Sequence, residues 1–139
     1  MSAVPAARLV PVGRWVAMPS VAAALLGWWL VGDVSERGGE DQLFQVSSAQ
    51  DHSGLLGLLG VVLAAIVAIE LRTRHAERIR DRAATVALAA VGGVLVGAGL
   101  RVVTAKVNGA NIGGALVLYV GPFVVVPLLA LAVARATRQ

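Results

Sequence analysis

The run ELRTRHAERIRDRA, residues 70–83, holds five arginines, three acids and one histidine. It interrupts a chain of 139 residues that is 58% hydrophobic and only 14% charged. A soluble domain is about 45–50% apolar and about 25% charged. Both deviations point to a lipid-embedded chain, and the charged run marks where that chain leaves the bilayer.

Working outward from this run, four apolar windows approach the ~20 residues needed to cross a hydrocarbon core. They are residues 15–32 (WVAMPSVAAALLGWWLVG), 54–71 (GLLGLLGVVLAAIVAIEL), 83–100 (AATVALAAVGGVLVGAGL) and 114–134 (GALVLYVGPFVVVPLLALAVA). Helix is the expected conformation, because a lone strand in lipid leaves its backbone polar groups unsatisfied. The sequence therefore predicts a single all-α domain over residues 1–139, a four-helix bundle of the polytopic membrane class. Its spans form two hairpins joined by the basic loop 72–82. The first span ends in Trp28-Trp29, an interfacial anchor pattern, and lacks a clear small-x-small cleavage site. It is expected to be a retained helix rather than a signal peptide.

The arginines set the orientation. With the N-terminus inside, Arg8, Arg14, Arg72, Arg74, Arg78, Arg80, Arg82, Arg135 and Arg138 are all cytoplasmic. Only Arg37, Arg101 and Lys106 fall outside. The opposite topology exports the five-arginine loop, against the positive-inside bias of short loops. Both termini are thus expected in the cytoplasm. The single lysine and the Ala/Val-rich composition suggest a GC-rich bacterial genome, so a bacterial inner (plasma) membrane is the expected location. The net charge of +4 follows from this topology and calls for no nucleic acid. Acidic lipid headgroups are the natural neighbours of the loop arginines.

Within the loop, Glu70 and Arg74 have the i, i+4 spacing of a helical ion pair. Asp81 lies where the third helix begins, a favourable place for a carboxylate.

Small residues replace the hydrophobic effect as the basis of helix packing in lipid. In the third span Thr85, Ala89, Gly93, Gly97 and Arg101 recur every four residues, with a GxxxG match at 93–97. The second span has a comparable stripe of Gly57, Gly60, Ala64 and Ala68. The second and third helices are expected to pack closely, through these stripes or against another chain. In the fourth span Gly121-Pro122 and Pro127 predict a kinked or locally unwound helix.

Chemistry is sparse. The absence of cysteine excludes disulfides, thiol redox chemistry and cysteine metal sites. His52 and His75 are assigned to opposite sides of the membrane. The acidic loop 33–53 carries five acids against Arg37 and does not have EF-hand spacing; Leu43, Phe44 and Val46 give it an apolar patch. The stretch 107–114 (VNGANIGG) is a dense turn signal. No catalytic group, cofactor site or metal site is expected. The reading is a non-enzymatic accessory or structural subunit, with other membrane subunits or further copies of itself as partners besides the lipid bilayer. The alternative is a small transporter or channel whose path runs near the fourth helix, past Arg101, Tyr119, Pro122 and Pro127. A membrane enzyme acting at the outer loop would depend on His52.

Overall fold

A computed structural model describes residues 12–35, 52–73, 79–106 and 111–138. Four helices run through these residues, each long and apolar enough to cross a membrane. Helix α1 covers Gly13–Val31, α2 Ser53–Thr73, α3 Ile79–Val103 and α4 Ile112–Ala136. Most of the acidic loop, including Leu43, Phe44 and Val46, lies outside the described residues. So do Arg74, His75 and Arg78 of the basic loop and residues 107–110 of the turn.

The first turn of α1, Gly13–Ala17, is π-helical, and the helix continues as α-helix over Met18–Val31. Pro19 follows directly. It has no N–H to donate, and its ring crowds the carbonyl four residues back, at Trp15. Widening the turn before it relieves that crowding. Helix α4 begins at Asn111, whose side-chain oxygen accepts from the Gly114 N–H at 2.6 Å. The same side chain donates through Nδ2 to the carbonyls of Val102 (3.2 Å) and Ala105 (3.3 Å). One asparagine thus satisfies orphan backbone groups at the end of α3 and the start of α4. Helix α4 then stays helical through Pro122 and Pro127, so of the kink or local unwinding expected there the unwinding does not occur. Both prolines are exposed.

The helices line up in the packing order α2, α1, α3, α4. Helices α1 and α3 form the middle of the row: α1 touches both α2 and α3, and α3 touches both α1 and α4. Helices α2 and α3 meet at only a few positions, which corrects the expectation that they pack on each other. Their small-residue stripes both face α1. A Cβ on Gly57 would strike the Trp29 ring, and one on Gly60 would press on Leu26 and the Ala22 carbonyl. Ala64 is half-buried on the same helix and Ala68 is exposed.

Contact between α1 and α3 is closer still. A Cβ on Gly93 would collide with the backbone of Ser20, and one on Gly97 with the backbone of Ala24. From the other side, a Cβ on Gly27 would lie 2.8 Å from the Val94 carbonyl oxygen. The Ser20 hydroxyl donates across the seam to the Ala89 carbonyl at 3.1 Å. Ser20 meets Gly93, Ala24 meets Gly97 and Trp28 meets Arg101. Each step of four in α1 is matched by a step of four in α3, so these two helices run in the same direction. Thr85, Ala89, Gly93, Gly97 and Arg101 are all buried.

The second face of α3 receives α4. A Cβ on Gly92 would meet Leu129 at 2.7 Å, and one on Gly99 would meet Val117 at 2.9 Å. Ala89, Ala132, Ala136 and Val16 form the apolar core where α1, α3 and α4 converge. Thr85 is fully buried there, its hydroxyl donating to the Asp81 carbonyl four residues back at 3.0 Å.

Overpacking a tight interface costs about 1–3 kcal/mol, more where backbone opposes the added atoms. Gly93→Ile and Gly97→Ile are expected to lower thermal stability and folded yield sharply in detergent. Gly54→Ala, where an added Cβ meets nothing within 4 Å, is expected to unfold at the wild-type temperature. Wild-type melting of both isoleucine variants would contradict the α1–α3 contact.

Candidate functional site

Polar side chains cluster at the two ends of the α1–α3 seam. At one end Arg101 closes the last turn of α3. It is only 5% exposed, although it carries a fixed charge. Its Nε donates to the Gly32 carbonyl, and its guanidinium carbon lies 5.0 Å from the centre of the Trp28 ring. Gly32 ends α1 with φ +68°, a left-handed conformation that a side chain would strain. That reversal turns its carbonyl onto Arg101. Trp28 supplies a cation–π surface, worth about 0.5–2 kcal/mol depending on desolvation. Arg101 Nη1 and Trp28 Nε1 are buried with no hydrogen-bond partner.

The chain leaving α1 folds over the same end. Asp33 approaches Arg101 Nη2 at 3.8 Å, but its side chain is 71% exposed, so the pair is loose. Ser35 ties the segment down: its N–H donates to Asp33 Oδ1 at 3.0 Å, and its hydroxyl accepts from the Lys106 N–H at 3.1 Å. The Ser35 N–H and then its hydroxyl hold the Asp33 carboxyl below its usual range; Arg101 and Lys106 add smaller pulls in the same direction. This stabilisation is present above the ordinary carboxylate pKa. It is lost as pH falls through the lowered value.

At the opposite end Arg14 of α1 forms a two-point ion pair with Glu70 of α2, through Nε and Nη2 to the two carboxylate oxygens. The Glu70–Arg74 pair that helical spacing predicts lies outside the described residues; Arg14 is 56 positions from Glu70 in the chain. Trp15 is buried beside this pair. The guanidinium carbons of Arg14 and Arg82 lie 5.6 Å and 5.4 Å from its ring centre.

The four residues proposed for a transport path lie on different surfaces. Arg101 faces α1, whereas Tyr119 is 78% exposed on α4. Pro122 borders an apolar groove of about 300 Å³ between α3 and α4, together with Leu95, Gly99, Val103, Val117 and Gly121. Pro127 lies exposed beyond that groove. An adjoining groove of about 360 Å³ shares Leu95, Gly99, Val117 and Gly121 and is equally apolar. His52 is exposed just before α2. Among the described residues no three His, Cys, Asp or Glu side chains gather in a way that could hold a metal ion.

The Arg101 clamp and the Arg14–Glu70 pair are among the polar contacts that the sequence does not display. The signal available for both was position alone: a charge at the tip of a span, level with a charge or aromatic ring at the tip of another. Comparison with protein-family models, curated proteins and solved structures finds no match.

Arg101 and Asp33 should therefore contribute very unequally to stability. Arg101→Ala removes a charge-assisted hydrogen bond and a cation–π contact, and is expected to cost about 2–3 kcal/mol in thermal unfolding. Asp33→Ala is expected to cost under about 1 kcal/mol, as for other exposed pairs. Equal losses would show that the ion pair, rather than the Gly32 and Trp28 contacts, holds Arg101.

Proposed function

We propose that this chain is a small non-enzymatic subunit of a bacterial plasma-membrane assembly, formed with other membrane subunits or with copies of itself. Its spans are arranged as two hairpins, α1–α2 and α3–α4, with both termini and the arginine-rich end in the cytoplasm. The orientation rests on the positive-inside bias of the arginines.

The observation that carries the reading is the open order of the helices. Helix α2 packs mainly against α1, and α4 mainly against α3 with one end reaching the first turn of α1. Their other sides present Leu55, Leu58, Val62 and Ile69 on α2, and Leu116, Tyr119, Phe123 and Val126 on α4. The middle of the row is sealed by backbone-to-backbone contact between α1 and α3, where no solute could pass. The grooves beside α4 are apolar and carry no ion-binding groups. A single chain laid out in this way has flanks to pack against and little interior to work with. Tyr119 and Pro127 belong to such a flank more readily than to a transport path.

The test is the native mass of the complex after extraction in a mild detergent at natural expression levels, with each co-purifying chain identified by mass spectrometry. A species of fixed stoichiometry, heavier than the 14.2 kDa chain, is expected. Foreign subunits in that species would establish the accessory role. A pure homo-oligomer that conducts a solute in liposomes would favour transport through a path between chains. A monomer without partners would overturn the proposal.

A further inference from the structure

We propose that Arg82, seated on the Trp15 ring, binds the phosphodiester headgroup of an anionic phospholipid at the arginine-rich end of the molecule. The inference rests on the four membrane-spanning helices and not on the subunit role.

Two guanidinium groups lie over the Trp15 ring, and among the described residues only Arg14 has a carboxylate partner. Arg14 is held by both oxygens of Glu70. Arg82 has no hydrogen bond or ion pair among the described residues, and its Nε is buried without a partner. The Nε is enclosed by protein, so the two terminal guanidinium nitrogens are the donors left to meet an acceptor from outside. The group that fits is an anion with several oxygens, since the arginine fork matches phosphate geometry at two points.

Position identifies the source of that phosphate. Arg14 and Arg82 are each within the first turns of spans that begin at Gly13 and Arg80. At ~1.5 Å per residue, both lie within a few ångström of the span ends, at headgroup depth. Trp15 is a residue suited to that interface, and it fixes the direction of the Arg82 side chain before any lipid arrives. The surrounding charge favours an anion: Arg72, Arg80, Arg135 and Arg138 are exposed at the same end, where Glu70 and Asp81 are the acids among the described residues. Glu70 is already engaged by Arg14.

The full chain in mild detergent is titrated with phosphatidylglycerol or phosphatidylcholine, and lipid retention is read by native mass spectrometry. The wild type is expected to retain phosphatidylglycerol in preference. That preference should fall roughly five-fold in Arg82→Gln, the effect of one arginine near an anionic surface. It should fall much less in Arg135→Gln, whose arginine is exposed on α4 and adds only to the surrounding charge. Arg82→Lys keeps the charge but loses the fork, so it too should lose preference, and it decides the matter if the glutamine variant does not fold. Four outcomes would overturn the proposal: no preference in the wild type, an unaltered preference in Arg82→Lys, equal losses in Arg82→Gln and Arg135→Gln, or displacement of the lipid by millimolar inorganic phosphate. The third would mean diffuse attraction, and the fourth a site for free anions.

Discussion

The fold depends on the contact between the backbones of α1 and α3. In lipid, apolar side chains gain little by leaving one apolar neighbour for another, so helices associate through close packing and polar contacts. Gly93 and Gly97 let α3 approach until Ser20 and Ala24 touch it with main-chain atoms. Gly27 does the same from the α1 side. At this range many small dispersion contacts add up, and the Ser20 hydroxyl can reach the Ala89 carbonyl. The outer helices then attach where the seam leaves room: α2 on the Trp29 side of α1, and α4 on the Gly92–Gly99 side of α3.

Both ends of α1 are fastened by arginine, in different ways. Arg101 is buried and is met by a carbonyl and an aromatic face, with a carboxylate only at the margin. Arg14 is partly exposed and meets a carboxylate directly. The difference follows from place. Arg101 lies on the packed stripe of α3, where a second buried charge would carry a heavy desolvation cost. Arg14 lies at the rim, where Glu70 from the neighbouring helix can keep part of its hydration. These contacts fix the register of α1 against α3 at one end and against α2 at the other, and they place Trp15 and Trp28 under cationic side chains.

Much of this was legible in the sequence, and the limits have physical causes. The four apolar stretches and the four-residue period of Thr85, Ala89, Gly93, Gly97 and Arg101 are local patterns, which a sequence displays directly. The partner of that stripe is not a local property. Helices α2 and α3 both carry small-residue stripes, yet each faces α1, whose own small residues are masked by a uniformly apolar segment containing Pro19. The Arg14 partner of Glu70 was hidden for a related reason. Helical spacing ranks Arg74 first, whereas the contact with Arg14 exists only once α1 and α2 are side by side. Asn111 was read as a turn former, while its work at two helix ends appears only when α3 and α4 are both in place. Of the kinked or locally unwound helix expected at Pro122 and Pro127, the unwinding is absent, because a membrane helix tolerates the lost donors.

The packing order is open to direct measurement, since the chain contains no cysteine. Paired cysteines at Ser20 and Ala89 would probe the α1–α3 seam, and paired cysteines at Ala64 and Ala90 would probe α2 against α3 at similar depth. Under mild oxidation in membranes, the first pair should form an intrachain disulfide readily and the second should not. Rapid cross-linking of Ala64→Cys to Ala90→Cys with none between Ser20→Cys and Ala89→Cys would contradict the central place of α1.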